Sequence, residues 1–435
     1  MLKCGMIEVS ITPPLGNSIP GYFKDRISNG IKDELYAKAL VVESEQKTVV
    51  FIVVDAIDLA RRDVERIRSR IQEGTGIPQE HIMVSATHTH TGPPVKEGFN
   101  SKVNEDYMVW LAQKAGDAGV LAYKGRKEAR IGFGVGQEAN IAFNRRFYMK
   151  DGSVTTNPGI LNPQIDRPAG PIDPEVIVAR IDDAATGEPI GVLTNYACHT
   201  DTVSGNEYSA DFPGALSRTL KQVLGEKTVS LFMLGACGNI NHIDVSGATP
   251  RDGRNHIRMG TILAGEVLKV REKITSLASE LAIDVKQSFF DVEYRSPTDR
   301  EVQLAELAEQ NASTASDMEL AFARQIRGIQ AAGPGSTNVE IQSVRLGELG
   351  IVGLPAEIFV EFGLRIKSRS PFPITLINEL CNGSARGYIC VKEAYNQGGY
   401  EPRTTNNSKL ATDAGDRFVE KAVELLHQFE QVPAK

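Results

Sequence analysis

Residues 48–55, Thr-Val-Val-Phe-Ile-Val-Val-Asp, form a near-continuous apolar run that stops on a carboxylate. A strand covered on one face alternates apolar and polar residues, so an unbroken β-branched run describes a strand buried on both faces. Residues 61–72 then carry Val64, Ile67 and Ile71 at helical spacing, and residues 81–86 form a second short buried strand. Further strands are expected at 129–134, 175–182, 190–196, 228–234, 338–345 and 374–380, with helices near 105–122, 212–224, 255–273, 299–330 and 413–429. Buried strands alternating with helices predict an α/β fold: mostly buried mixed sheets flanked by helices. The charged, alanine-rich stretch 299–332 reads as an exposed helix or helix pair, a helical insertion. No Pro/Gly/Ser linker divides the chain, so residues 1–435 are read as one large domain.

Charge narrows the partners. Lys+Arg 48 against Asp+Glu 55 gives a net charge of −7. Nucleic acid and anionic membranes both need a basic footprint, which this balance does not provide. No apolar stretch approaches the ~20 residues of a bilayer span, so stable membrane insertion is not expected. The first ten residues lack a secretory pattern, and five cysteines without paired spacing suit reduced thiols. These features predict a cytoplasmic protein acting on a small molecule, with homo-oligomerisation left open.

Histidine is scarce, seven in 435 residues, so its placement is informative. His88 and His90 lie in Ala86-Thr-His-Thr-His-Thr-Gly-Pro93, at the C-terminal end of a buried strand, where α/β proteins bind ligands. In an extended strand such i, i+2 side chains share a face, so the two rings could converge on a metal; the alternative is two hydrogen-bonded loop histidines. His199 follows a second strand-like run, and Glu357 follows a third, Gly350-Ile-Val-Gly-Leu-Pro. A carboxylate among apolar residues needs a metal or an arginine beside it. Two histidines and a glutamate make a catalytic zinc set with one position open. Asp55 closes the first buried strand as a site residue or a helix cap. Asp211 precedes a Pro-led helix, either as its cap or as a carboxylate orienting a histidine. His81, His256 and His427 read as surface or structural residues. No Gly-x-Ser-x-Gly elbow occurs, which disfavours a serine α/β-hydrolase.

Several blocks recur together: Gly21-Tyr22, Gly30-Ile31, Leu35–Val42, Thr87–Pro93, Asn144-Arg145 with Asn157-Pro158, Pro355-Ala-Glu357, and Tyr388–Glu401 with its three tyrosines. Jointly they resemble the catalytic N-terminal region of the neutral/alkaline (non-lysosomal) ceramidases, which are zinc-dependent amidases. The resemblance implies that His88, His199, Glu357 and Tyr388 hold Zn2+. It implies that His90 is an acid/base group beside the metal, and that Arg145 and Tyr400 face the substrate as oxyanion partners. The family's Gly-Asp-x-Ser-Pro-Asn-like segment is replaced by Leu234-Gly-Ala-Cys-Gly-Asn-Ile-Asn-His-Ile-Asp244, with Asn241 at the serine and His242 at the proline. A metal-activated water is therefore expected in place of a serine nucleophile. Asn241 and His242 stand as catalytic candidates, His242 as an extra ligand, an acid/base group or a loop residue, and Cys237 as inert packing. The tyrosine block lies close to residue 435, so a short form of the family lacking its immunoglobulin-like domain is expected, and no apolar or basic segment built for lipid capture stands out. The expected reaction is hydrolysis of a non-peptide amide smaller or more polar than ceramide. Two alternatives share the site: an esterase, lactonase or phosphoester hydrolase, and a non-catalytic metal- or ligand-binding homologue.

Overall fold

The computed structural model describes residues 1–45, 47–97, 101–385 and 387–429. Eight strands form the larger sheet: β1 (Lys3–Ser10), β2 (Tyr36–Ser44), β3 (Lys47–Val54), β4 (Ile82–Ala86), β5 (Lys127–Gln137), β6 (Glu175–Asp183), β7 (Pro189–Tyr196) and β8 (Val229–Leu234), in the spatial order β8-β7-β6-β5-β1-β2-β3-β4. A second sheet has the order β9-β10-β11-β13, from β9 (Ile283–Glu293), β10 (Ser336–Leu346), β11 (Leu349–Gly353) and β13 (Ile374–Asn378). Between its last two members lies β12 (Glu357–Ile358), which pairs in parallel with β14 (Tyr388–Ile389).

The two sheets face one another inside helical layers. Period-two alternation divides β2 and β3 between two cores. Ala39, Val41, Val50, Ile52 and Val54 pack on α1 (Arg61–Thr75) and α2 (Glu105–Lys124). Leu40, Val42, Phe51 and Val53 meet Val344, Leu349, Ile351 and Leu376 of the second sheet. Burial of each such Val, Leu or Ile is worth roughly 1.5–3 kcal/mol, so a strand serving two cores must be apolar throughout, as residues 49–54 are. Elsewhere β6–β8 pack on α3 (Asp211–Leu224) and α4 (Asn255–Lys273). The far face of the second sheet is covered by α7 (Val360–Arg369) and a final helix, Ala414–His427. The expected insertion is a helix pair, α5 (Asp299–Gln310) and α6 (Asp317–Ala332), each opened by a capping box.

One connectivity occurs three times. An antiparallel hairpin is followed by a helical crossover to a parallel strand: β2-β3-α1-β4, β6-β7-α3-β8 and β10-β11-α7-β13. In each unit the parallel strands finish level, with Val54 opposite Ala86, Tyr196 opposite Leu234 and Gly353 opposite Asn378. The chain leaves all three pairs at the carboxyl ends of their strands, where open α/β sheets collect ligands. Among the described residues no helix is long and apolar enough to cross a membrane.

Candidate functional site

Two segments emerging from those strand ends bring three imidazoles together, and a third brings Glu357. His88 and His90 follow β4, and His199 follows β7. The His88 and His90 rings do converge, at 4.8 Å between centroids, but not through strand alternation. β4 stops at Ala86, and His88 adopts a left-handed backbone, φ 67°. That conformation costs a non-glycine residue about 1–3 kcal/mol and persists only where its surroundings impose it.

Every ring has its Nδ1 facing a main-chain carbonyl: His88 with Ile57 at 2.7 Å, His199 with Cys237 at 2.8 Å and His90 with Gly21 at 3.1 Å. A carbonyl only accepts, so each Nδ1 carries the proton and each neutral ring turns an Nε2 lone pair inward. The Nε2 of His88 lies 3.2 Å from that of His199 and 3.3 Å from that of His90. Glu357 Oε2 completes a tight triangle, 3.3 Å from His88 Nε2 and 3.4 Å from His199 Nε2. This oxygen is buried and has no hydrogen-bond donor. Converging lone pairs beside an orphaned carboxylate oxygen repel one another unless a cation lies between them. Edges of about 3.3–3.4 Å are those of a tetrahedron with metal–ligand bonds of ~2.0–2.1 Å. The residues therefore fit a metal; without one, a proton takes its place. Burial alone would lower His88, but Glu357 outweighs it and raises the imidazole, while His88 and His199 hold the buried Glu357 carboxyl well below its usual range.

His90 meets the triangle at His88 and, with ring centroids 5.8 Å apart, at His199, and the ligand atoms of the three histidines lie within 4.8 Å of one another. Burial and His88 depress it well below the usual histidine range, so its ring stays neutral. Tyr388 pairs in register with Glu357 across β12 and β14, which sets the two side chains next to each other. Its ring stacks on His199 with centroids 6.4 Å apart, and its hydroxyl meets Arg145. Arg145 is fixed by Glu401 at 2.8 Å and the Gly238 carbonyl at 2.7 Å. Arg146 and Thr156 engage the other Glu401 oxygen. Tyr400 packs edge-on against Tyr388, and Phe23 and Phe322 pack against Tyr400, at 5.6–6.2 Å. Burial raises both phenols, so they remain protonated.

The remaining candidates lie around this centre. Asn241 is fully buried, its amide donating to Asn157 at 3.0 Å and its carbonyl accepting from Ile243 N. His242 Nδ1 lies 2.9 Å from Asp201, whose charge outweighs burial and raises the imidazole. His242 borders two cavities, where Asp244, Thr249 and Asn255 sit among apolar neighbours such as Ile141, Phe143 and Ile243. The Cys237 thiol is pushed well up by burial, which opposes thiolate chemistry. Asp211 touches no histidine; it takes Val203 N, Phe212 N and the Thr202 hydroxyl, tying the loop after His199 to α3. Asp55 accepts from Tyr36 N and from Thr87, the neighbour of His88. His81 and His427 contact backbone carbonyls, and His256 is buried in α4. The α5–α6 pair presents more apolar surface than its sequence suggested: Leu304 and Leu307 are over half exposed beside a cavity of about 470 Å³ that Phe322 also lines.

Sequence reasoning missed Asp201, Glu379 and Phe322. Glu379 alone left a signal, closing an apolar strand as Asp55 does.

A family model described as neutral/alkaline non-lysosomal ceramidase, N-terminal, matches residues 3–249. Neutral ceramidase A of Dictyostelium discoideum is 24% identical over 266 residues, 56% of this chain and 35% of that protein, so the chain matches about a third of that relative's length. The crystal structure of neutral ceramidase from Pseudomonas aeruginosa superposes with a TM-score of 0.77 at 18% identity, covering 100% of this chain and 75% of that one. A solved ceramidase complexed with C2 gives 0.74 at 17%, covering 100% and 76%.

Proposed function

Because the chain belongs to the neutral/alkaline non-lysosomal ceramidase family, we propose that it is a zinc-dependent hydrolase of a non-peptide amide smaller or more polar than ceramide. The observation that carries the metal is the convergence of the His88 and His199 Nε2 lone pairs on the donorless Glu357 Oε2. His88, His199, Glu357 and Tyr388 are the proposed ligands. A zinc ion held there supplies a Lewis acid and lowers the pKa of water.

The chain's own groups complete the chemistry. His90, kept neutral and oriented by Gly21, is the base that receives a proton from water and returns it to the leaving amine. Arg145, already immobilised by Glu401, offers a fixed cation where negative charge develops on the carbonyl oxygen. Tyr400, with its proton retained, donates to the same oxygen. The aromatic rings of Phe23, Phe322 and Tyr400 close one side against water. On the other side His242, held by Asp201, is a second acid/base candidate beside cavities that also present Asp244, Thr249 and Asn255, and the buried Asn241 fixes the segment that carries it.

The test pairs metal analysis with a panel of short- and long-chain N-acyl amides and their ester and phosphoester counterparts. The parent should retain about one zinc per chain and cleave the shorter or more polar amides. Glu357→Ala and Tyr388→Phe should lower zinc content or rate while leaving the circular dichroism spectrum unchanged. Turnover of esters alone would refute the amidase reading. Parental zinc and rate in both variants would refute the ligand set.

A further inference from the structure

Behind the histidines, and hydrogen-bonded to none of them, lies a buried carboxyl group. Glu379 follows β13 and is fully buried. Its Oε2 accepts from Cys237 N at 3.1 Å and from Ile358 N at 2.9 Å, while its Oε1 takes the Cys237 thiol at 3.0 Å. These groups belong to the two segments that hold the inward-facing donors. The Cys237 carbonyl is the one that fixes the His199 ring, at 2.8 Å. Ile358 is the immediate neighbour of Glu357 and shares its two-residue strand, and Gly238 N closes the circuit by donating to Ile358 O at 2.8 Å. One side chain thus clasps the supports of two donors delivered by different crossover units.

Burying a carboxyl group here is expensive: without a cation it is pushed up to about 8. Two amides and a thiol could be satisfied by a neutral acceptor at lower cost, so the reach and the placement of the acceptor atoms distinguish this residue.

We propose that Glu379 is a positioning residue that sets the angle of His199 and the depth of Glu357 by hydrogen-bonding the backbones of Cys237 and Ile358 together. The proposal rests on the reading of His88, His199 and Glu357 as metal ligands. It assigns Glu379 no contact with metal or substrate.

Two conservative variants separate placement from charge. Glu379→Gln keeps the length and can retain every contact, its oxygen accepting both amides and its –NH2 facing the thiol. Glu379→Asp keeps the carboxylate but withdraws it by one methylene from both amides. Chelator-treated parent and variants would be titrated with Co2+ and with Zn2+, reading affinity by competition and ligand geometry by the Co2+ visible spectrum. Outer-sphere partners of metal ligands typically account for 10–100-fold in affinity. The Asp variant should therefore bind tenfold or more weakly with an altered Co2+ spectrum, and the Gln variant should stay within threefold of the parent with its spectrum retained. An Asp variant that binds like the parent overturns the proposal, as does a Gln variant that loses as much as Asp. Failure of the parent itself to bind either ion would defeat the metal reading, a result distinct from either of these.

Discussion

His88 lies beyond the extended strand; its left-handed backbone, whose N–H donates to Ala56 O, and the hold of Ile57 O on its Nδ1 turn the ring inward. Next to it, Thr87 donates to Asp55, whose carboxyl group burial raises to about 6. In the unfolded chain an aspartate titrates near ~3.9. The folded state therefore holds this proton more tightly, so its stabilising contribution is complete below pH ~4 and is lost as pH rises through 6. Asn at this position keeps the shape and has no charge to bury. Relative to the parent, Asp55→Asn should gain about 2–3 kcal/mol between pH 4 and pH 7, read from urea unfolding at the two pH values. A difference that stays flat with pH counts against this account. Much of the centre was legible at this scale because His88, His199 and Glu357 each leave an apolar strand. Asp201 was not legible, because its partner is a ring far away in sequence; Glu379 could be suspected from its place at a strand end, but no spacing rule encodes its meeting with the amides of Cys237 and Ile358.

Among the elements, the α5–α6 pair does more than decorate the surface. Glu301 of α5 caps Thr298, then reaches across to accept from Thr404 N at 2.7 Å and from the Thr404 hydroxyl at 3.0 Å. Gln325 of α6 accepts from Asn406 N, and Phe322 packs on Tyr400. The hairpin therefore braces the loop carrying Tyr400 and Glu401, and through Glu401 it braces Arg145. Glu301→Ala should cost about 1 kcal/mol from the lost capping box, with faster amide hydrogen exchange across residues 398–408 and unchanged metal content. Protection that does not change in that loop would separate the hairpin from the site. Elements with strong patterns were visible in advance, including α4 at 255–273 as expected. The second sheet's edge was not, because β9 spreads Asp284, Lys286, Gln287 and Ser288 through a strand largely open to solvent. Helix α7 was hidden as well: ten residues, with Gly363 in its middle and Phe359 at its cap.

For the molecule as a whole, a cation bound by the folded state and not by the unfolded chain shifts the folding equilibrium by mass action. Zinc at a thousandfold over its dissociation constant should add about 4 kcal/mol, seen as a rise in Tm that chelator reverses and that His88→Ala abolishes. The three repeated units explain why this coupling reaches so far. His88, His199 and Glu357 come one from each, and the units share two sheets, so occupying the centre pins both sheets together. There is a consequence in time as well as in space. A chain emerging from the ribosome offers His88 first, His199 next and Glu357 last, so a molecule cut short before the third unit has no complete cage in which to trap an ion. A metal held by all three residues would require the third unit to have been synthesised, so a filled centre would report on the progress of the chain.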